Sequence, residues 1–516
     1  MPLLAFALLT LICGCDGKKA SPASPRTLER EQVPVLRVTA TLQYPDVRRP
    51  WLKKPPFVRC GLGTVLEDGN ILVTAEMAAH ATDITLEKPE DGPKVGATIA
   101  AIDEECNLAL LRPTDPSFLK GTATTRPAQE IRAGDVLRIL QLEPNGSPAF
   151  SPATVTTMAV MPYPADGASY LLCRVTATIP QRDGSFVLPA FLDGALAGLV
   201  MRHDPKTQAA EIIPAPVIGR FLSACTQAGY SGLGRAGLSW EQMRGAALKA
   251  WLCLPEGKTG VYVTSVIPGG PAEKAGLKKG DILTEIDGKP IDGEGCYQDP
   301  VLGKVTFSHA ASVLHGPGDR MGIGYFRSSG EGTGTFGSAT VTLSGRISGS
   351  EVSPLRLEGD MVPYLFLGGL LFQELSRPYL KEWGANWQNE APEELVAIDA
   401  YPKENGHQKG RVVILSAVLP SRQTIGLRKL DNRVVTSVNG KPVHGLGNLR
   451  EALRHPSGGF HRFDLADGAG PVFLDLATLA ADQEELCRSY GIPNQGSQAQ
   501  GIPTDARTAG AGTASP

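Results

Sequence analysis

Few residues in this chain combine the type and the spacing that chemistry needs. Ser185, in the turn Asp183-Gly184-Ser185, carries a hydroxyl of the kind used in acyl transfer. Such a hydroxyl works only beside a base that takes its proton, and that base needs a carboxylate to orient it. Beyond Cys13 and Cys15 there are seven cysteines, Cys60, Cys106, Cys173, Cys225, Cys253, Cys296 and Cys487, and none forms a C-x-x-C pair. A zinc site is therefore not expected, nor is any other cofactor. Most of the seven are expected to be small buried hydrophobes. The net charge of -3 leaves no electrostatic footprint for nucleic acid.

The elements that must position these residues read as β-rich. A chain of 516 residues is too long for one core. From Leu36 to Met201, short apolar runs alternate with turns such as Glu67-Asp68-Gly69-Asn70, which suggests a barrel or sandwich. Glycines in Val58–Leu66 permit close backbone approach. The clearest stretch, Gly260–Ile291, runs as a strand, a stop at Pro268-Gly269-Gly270, a short helix from Pro271 closed by Gly276, a turn at Gly280-Asp281, a second strand and a hairpin at Asp287-Gly288. The unit recurs at Gly410–Val443, where Val438-Asn439-Gly440-Lys441-Pro442-Val443 repeats Ile286-Asp287-Gly288-Lys289-Pro290-Ile291. Trp240–Trp251 has apolar residues at helical spacing and is expected to pack as a helix. Gly330–Gly337 is expected as a loop. The apolar run Leu3–Ile12 is too short to span a bilayer and reads as a signal peptide.

The Gly260–Ile291 unit resembles the PDZ domains of the HtrA/Deg proteases. Three upstream segments resemble that family's trypsin-like domain: Gly61–Thr74, Ile102–Leu111, and Asp183-Gly184-Ser185 followed by Asp193–Leu199. Gly368–Phe372, Ser376–Leu380 and Cys487–Pro493 are similar to the second PDZ-like domain of plant-type Deg proteases, which packs against neighbouring subunits. The resemblance implies a mainly β, multidomain chain: a trypsin-like double β-barrel over 36–222, a PDZ domain over 235–345 and a second PDZ-like domain over 350–494. A leader over 1–15, a tether over 16–35 and a disordered tail over 495–516 complete the expected organisation. Ile12-Cys13-Gly14-Cys15 resembles a bacterial lipobox, with Cys15 as the lipidated residue.

The same resemblance makes the catalytic reading negative. The family histidine falls on Met77 and the family aspartate on Asn107, while Ser185 keeps the nucleophile position. Asp183 stands where the family has an oxyanion-hole glycine, and a carboxylate there opposes developing negative charge. Losing such a triad costs on the order of 10⁶ in kcat, or about 8 kcal/mol of barrier. Ser185 is thus expected as a turn residue. The alternative, an active endopeptidase, needs His80 or a residue supplied by a partner as a non-standard base; Asp103 lies four residues from the expected carboxylate. In HtrA PDZ domains a loop like Arg235-Ala236-Gly237-Leu238 takes a peptide's C-terminal carboxylate through backbone N–H groups, and Arg235 is expected to add charge to it. The expectation is a membrane-tethered, non-catalytic protein of the bacterial envelope that holds protein C-termini or unfolded peptides and assembles as a homo-oligomer.

Overall fold

The computed structural model describes residues 32–90, 92–164, 168–226, 230–329, 333–346, 352–357, 359, 361–402, 410–466, 468 and 470–493. The leader, Cys15, most of the tether and the tail lie outside the described residues.

Strand alternation builds the first barrel. In β1 (Val35–Leu42), Val38, Ala40 and Leu42 are buried on one face. β2 (Phe57–Val65), β3 (Ile71–Val73), β4 (Ala81–Glu87), β5 (Val95–Asp103) and β6 (Leu108–Pro113) close with β1 in the order β1-β2-β3-β6-β5-β4. Gly63 lets the barrel close tightly: a Cβ there would lie 2.4 Å from Ile71 Cγ2 and 2.8 Å from Val38 Cγ2. A one-turn helix, α1 (Ala75–Ala78), follows β3. The second barrel orders β7 (Val136–Leu142), β8 (Pro148–Pro162), β9 (Ser169–Ala177), β10 (Leu188–Leu192), β11 (Ala195–Asp204) and β12 (Ala209–Pro214) as β10-β11-β12-β9-β8-β7. This is the expected trypsin-like double barrel, and one apolar core runs through both halves. α2 (Ala215–Cys225) closes it and buries Val217, Ile218 and Phe221.

The third sheet orders β13 (Leu238–Gln242), β14 (Val261–Val266), β15 (Ile282–Ile286), β16 (Arg320–Ser328) and β17 (Gly334–Thr342) in sequence, with β13 at its edge. The turns obey the residues that make them. Asp287 and Gly288 both have positive φ, 47° and 75°, as a two-residue hairpin requires. Gly276 closes the short Pro271–Lys274 helix at φ 86°, and its N–H donates to Glu273 O at 2.9 Å. Two expectations fail here. Trp240 is not helical: it pairs with Val263 in the β13–β14 ladder. The helix α3 is confined to Ala246–Trp251, starts at Gly245 and buries none of its residues. Gly334–Gly337 is strand, paired with Tyr325–Ser328 of β16.

The repeat builds a fourth sheet from β18 (Tyr364–Leu367), β19 (Leu370–Glu374), β20 (Val413–Val418), β21 (Arg433–Val438), β22 (Phe460–Leu465) and β23 (Val472–Asp475). Asn439 and Gly440, at φ 49° and 77°, repeat the hairpin. The first unit buries Asp281 in an ion pair with Arg327 at 2.6 Å. In the repeat Asn432, at φ 64°, takes the place of Gly280, its N–H donating to Leu415 O as Gly280 N–H does to Val263 O, and its Oδ1 accepts from Tyr379 Oη at 2.7 Å. The loop between β1 and β2 grips this fourth unit: Gln373 Nε2 donates to Val47 O at 2.9 Å, and Lys54 pairs with Glu382 at 2.7 Å.

All seven cysteines are free thiols. Cys106 and Cys173 are buried, Cys60 is exposed and the other four are half-buried, so the expectation that most are core residues is corrected to two.

Candidate functional site

Ser185 sits after a glycine turn, with Gly184 at φ 75°. Its hydroxyl is half-buried and meets an amide: Gln141 Nε2 donates to Ser185 Oγ at 3.0 Å and to Pro180 O at 2.9 Å. Among the described residues Gln141 is the hydrogen-bond partner of this hydroxyl. A primary amide nitrogen is a donor and takes no proton at neutral pH. The sequence reading missed Gln141. The signal was present: it is the one amide in the apolar run Ile139-Leu140-Gln141-Leu142, and it is 1% exposed. A polar group so placed requires partners.

Met77 lies in α1 and Asn107 directly before β6. Met77 is 1% exposed in the first-barrel core. Asn107, at φ 54°, braces α1: its Oδ1 accepts from Glu76 N at 3.0 Å and its Nδ2 donates to Glu76 Oε2 at 3.2 Å. Asn107→Asp keeps the first bond and sets two carboxylates against each other at the second. The expected cost is about 1–3 kcal/mol, the usual penalty for an uncompensated buried polar contact, read as a lower melting temperature with no gain in hydrolysis. His80 packs against Tyr44, with ring centroids 4.9 Å apart and the rings tilted by 51°, while Asp103 is fully buried and accepts from Tyr230 Oη and from Arg346 at 3.3 Å. The structure therefore does not bring His80, Asp103 and Ser185 together.

What does approach Ser185 is Arg59, also missed from sequence. Its guanidinium stacks on Phe186 at 4.3 Å and on Phe57 at 5.3 Å, and donates to Glu76 O. Arg59, Ser185 and Phe186 line a cleft of ≈ 1020 Å³ together with Arg182, Arg202 and His203. Asp183 lines it too and is exposed.

The second candidate is the edge of the third sheet. Gly237 has φ 73°; its carbonyl accepts from Ile267 N at 2.9 Å and Ala236 O accepts from Ala272 N at 2.9 Å. Leu238 opens β13, half-buried and paired with Val266. Arg235 differs from the expected role of adding charge to this loop. Its guanidinium is held by the buried Glu105 of the first barrel. Burial would raise the Glu105 pKa, but Arg235, Arg356, Arg346 and the Tyr170 hydroxyl outweigh it and hold the carboxyl below the ordinary range.

A family model described as PDZ domain matches residues 354–499, and a second PDZ domain model matches 262–299. "Protease Do-like 2, chloroplastic" of Arabidopsis thaliana is 27% identical over 473 residues, which is 89% of this chain and 74% of that protein. The chain is thus similar to HtrA/Deg proteases over most of its length. A bacterial HtrA/Deg relative, "Periplasmic serine endoprotease DegP" of Escherichia coli (strain K12), is 24% identical over 244 residues, 46% of this chain and 50% of its own length. Among solved structures, "HtrA-type protease AlgW with decapeptide" is 18% identical and covers 62% of this chain and 97% of its own, at a TM-score of 0.45. The chain thus has serine proteases among its relatives and carries PDZ domains. No helix among the described residues is long and apolar enough to cross a membrane.

Proposed function

We propose that this chain is a non-catalytic HtrA/Deg homologue that holds peptides and unfolded chains in envelope protein quality control. One observation carries the reading: the Ser185 hydroxyl accepts a hydrogen bond from an amide, Gln141 at 3.0 Å, where a nucleophile needs a base. Met77 and Asn107, taken as the replaced histidine and aspartate, are both committed elsewhere, one to the core and one to α1. With cutting removed, the retained function is grasping. The loop Ala236-Gly237-Leu238 at the edge of β13 receives a C-terminal carboxylate while the peptide adds as a strand. The β13 edge supports this, since nothing pairs with its outer side among the described residues. Arg235 works differently from the sequence expectation: it anchors the loop to Glu105 and leaves the carboxylate to backbone N–H groups. Assembly as a homo-oligomer and a lipid anchor at Cys15, holding the protein on the periplasmic side of a membrane, complete the proposal. More than one acyl chain is required for stable anchoring.

The test is capture without turnover. A peptide with an apolar residue and a free carboxylate at its C-terminus should bind the full chain at least tenfold more tightly than its C-terminal amide. Gly237→Val should erase that difference, because a β-branched residue does not accept φ 73°. Mass spectrometry should recover the bound peptide intact. Equal binding of acid and amide would overturn the assignment of the loop.

A further inference from the structure

The Ser185 cleft has no role in the peptide-end capture proposed above, yet it is built for a ligand of one charge. Arg59, Arg182 and Arg202 line it, against a single lining carboxylate, Asp183. Arg59 makes no ion pair with a carboxylate among the described residues; it meets two rings, the Glu76 carbonyl oxygen and the Tyr44 hydroxyl. Arg202 shares Glu211 with Arg174, at 2.8 and 3.2 Å, so one negative charge serves two guanidiniums. Arg182 pairs with Glu143 at 2.8 Å through one nitrogen, and its Nη1 is buried with no hydrogen-bond partner. His203 Nε2 is in the same condition. Both residues line the cleft, and buried polar atoms without partners are rare. A surplus of cations calls for an anion with more than one oxygen, and the carboxylate is the group of that kind that an ordinary polypeptide side chain carries.

The backbone indicates how the carboxylate is carried. β10 pairs with β11 only as far as Leu188–Val200, while β12 follows β11 to Asp204. Arg202–Asp204 are therefore paired on one side only, and Met201, Arg202 and His203 line the cleft. An extended chain can add there as a strand and place alternate side chains inward. The exposed rings of Phe57 and Phe186, which flank Arg59, supply apolar surface beside the charge.

We infer that the Ser185 cleft binds an extended polypeptide segment by an internal Glu or Asp side chain, with Arg59, Arg182, Arg202 and His203 selecting that carboxylate. The inference rests on the non-catalytic reading, since it treats the cleft as a second grip and not as a place of cleavage. It also gives the protein two separate holds on one client: a C-terminus at β13 and an acidic stretch further back.

The probe is a pair of decapeptides, acetylated at one end and amidated at the other, so that neither offers a C-terminal carboxylate, and differing only in a central Glu or Gln. Fluorescence anisotropy with the full chain at low salt should show the Glu peptide binding about tenfold or more tightly. The preference should shrink with salt, as exposed charge contacts do. The Arg182→Gln/Arg202→Gln double variant should lose it, and Arg202→Lys, which keeps the charge, should retain most of it. Equal affinity for the two peptides in the unmodified protein overturns the inference, whatever the variants do; so does an undiminished preference in the double variant. The two proposals fail separately. If free-ended peptides still bind at β13 while Glu and Gln are not distinguished, the acidic grip alone is wrong. If either decapeptide is cut, the non-catalytic reading is wrong, and a Glu preference would then describe specificity of cleavage.

Discussion

Unfolded casein incubated with the purified protein should remain uncut, at a rate indistinguishable from that of the Ser185→Ala variant. The expectation follows from what surrounds the hydroxyl. Its partner is Gln141, a donor fixed by its second bond to Pro180 O. Rotating that amide to offer its oxygen to Ser185 would strip the Pro180 carbonyl of a donor, and even then an amide oxygen is too weak a base to take a serine proton. His80, the one imidazole considered as a substitute, packs at a tilt against Tyr44. The loss of a working triad is on the order of 10⁶ in kcat, so any casein cleavage within a thousandfold of an active relative, removed by Ser185→Ala, would refute the reading.

The second large effect concerns stability. Glu105 is the node that joins the first barrel to the chain around the third sheet. Its side chain is 6% exposed and faces Arg235, Arg346 and Arg356. Glu105→Ala leaves three guanidiniums around a site with no carboxylate but Asp103, which already accepts from Arg346 and Tyr230. Breaking one partner of a buried ion pair costs about 3–5 kcal/mol, so calorimetry should show a large fall in the melting temperature, or a single transition split in two. The same carboxyl gives a pH dependence. Its folded pKa is held below the usual 4.5, so its contribution to stability is fully present above that value. It is lost as the pH falls through the lowered folded value. Acid titration of the unmodified protein should show this loss and Glu105→Ala should not.

How much of this could be read from sequence depends on how local each cause is. The Gly260–Ile291 unit was legible because its signals are turn residues acting on their own neighbours. Asp287-Gly288, Gly276 and the repeated Asn439-Gly440 all adopt the positive φ that their types permit. The barrels were legible from strand spacing. The Trp240–Trp251 helix was misread because its apolar spacing fits both periods, and pairing with β14 decided for strand up to Gln242. Arg59, Gln141 and Arg235 acquire their roles from residues far along the chain, Phe186, Ser185 and Glu105. No local pattern announces such partners. Gln141 alone left a trace, as an amide inside an apolar strand.

Labelling with a fluorophosphonate probe tests the state of Ser185 most directly, since the probe reacts only with a serine that a base has activated. The account predicts no labelled Ser185 in the full chain at probe concentrations that saturate an active HtrA/Deg protease. A labelled peptide containing Ser185, absent from the Ser185→Ala variant, would contradict it.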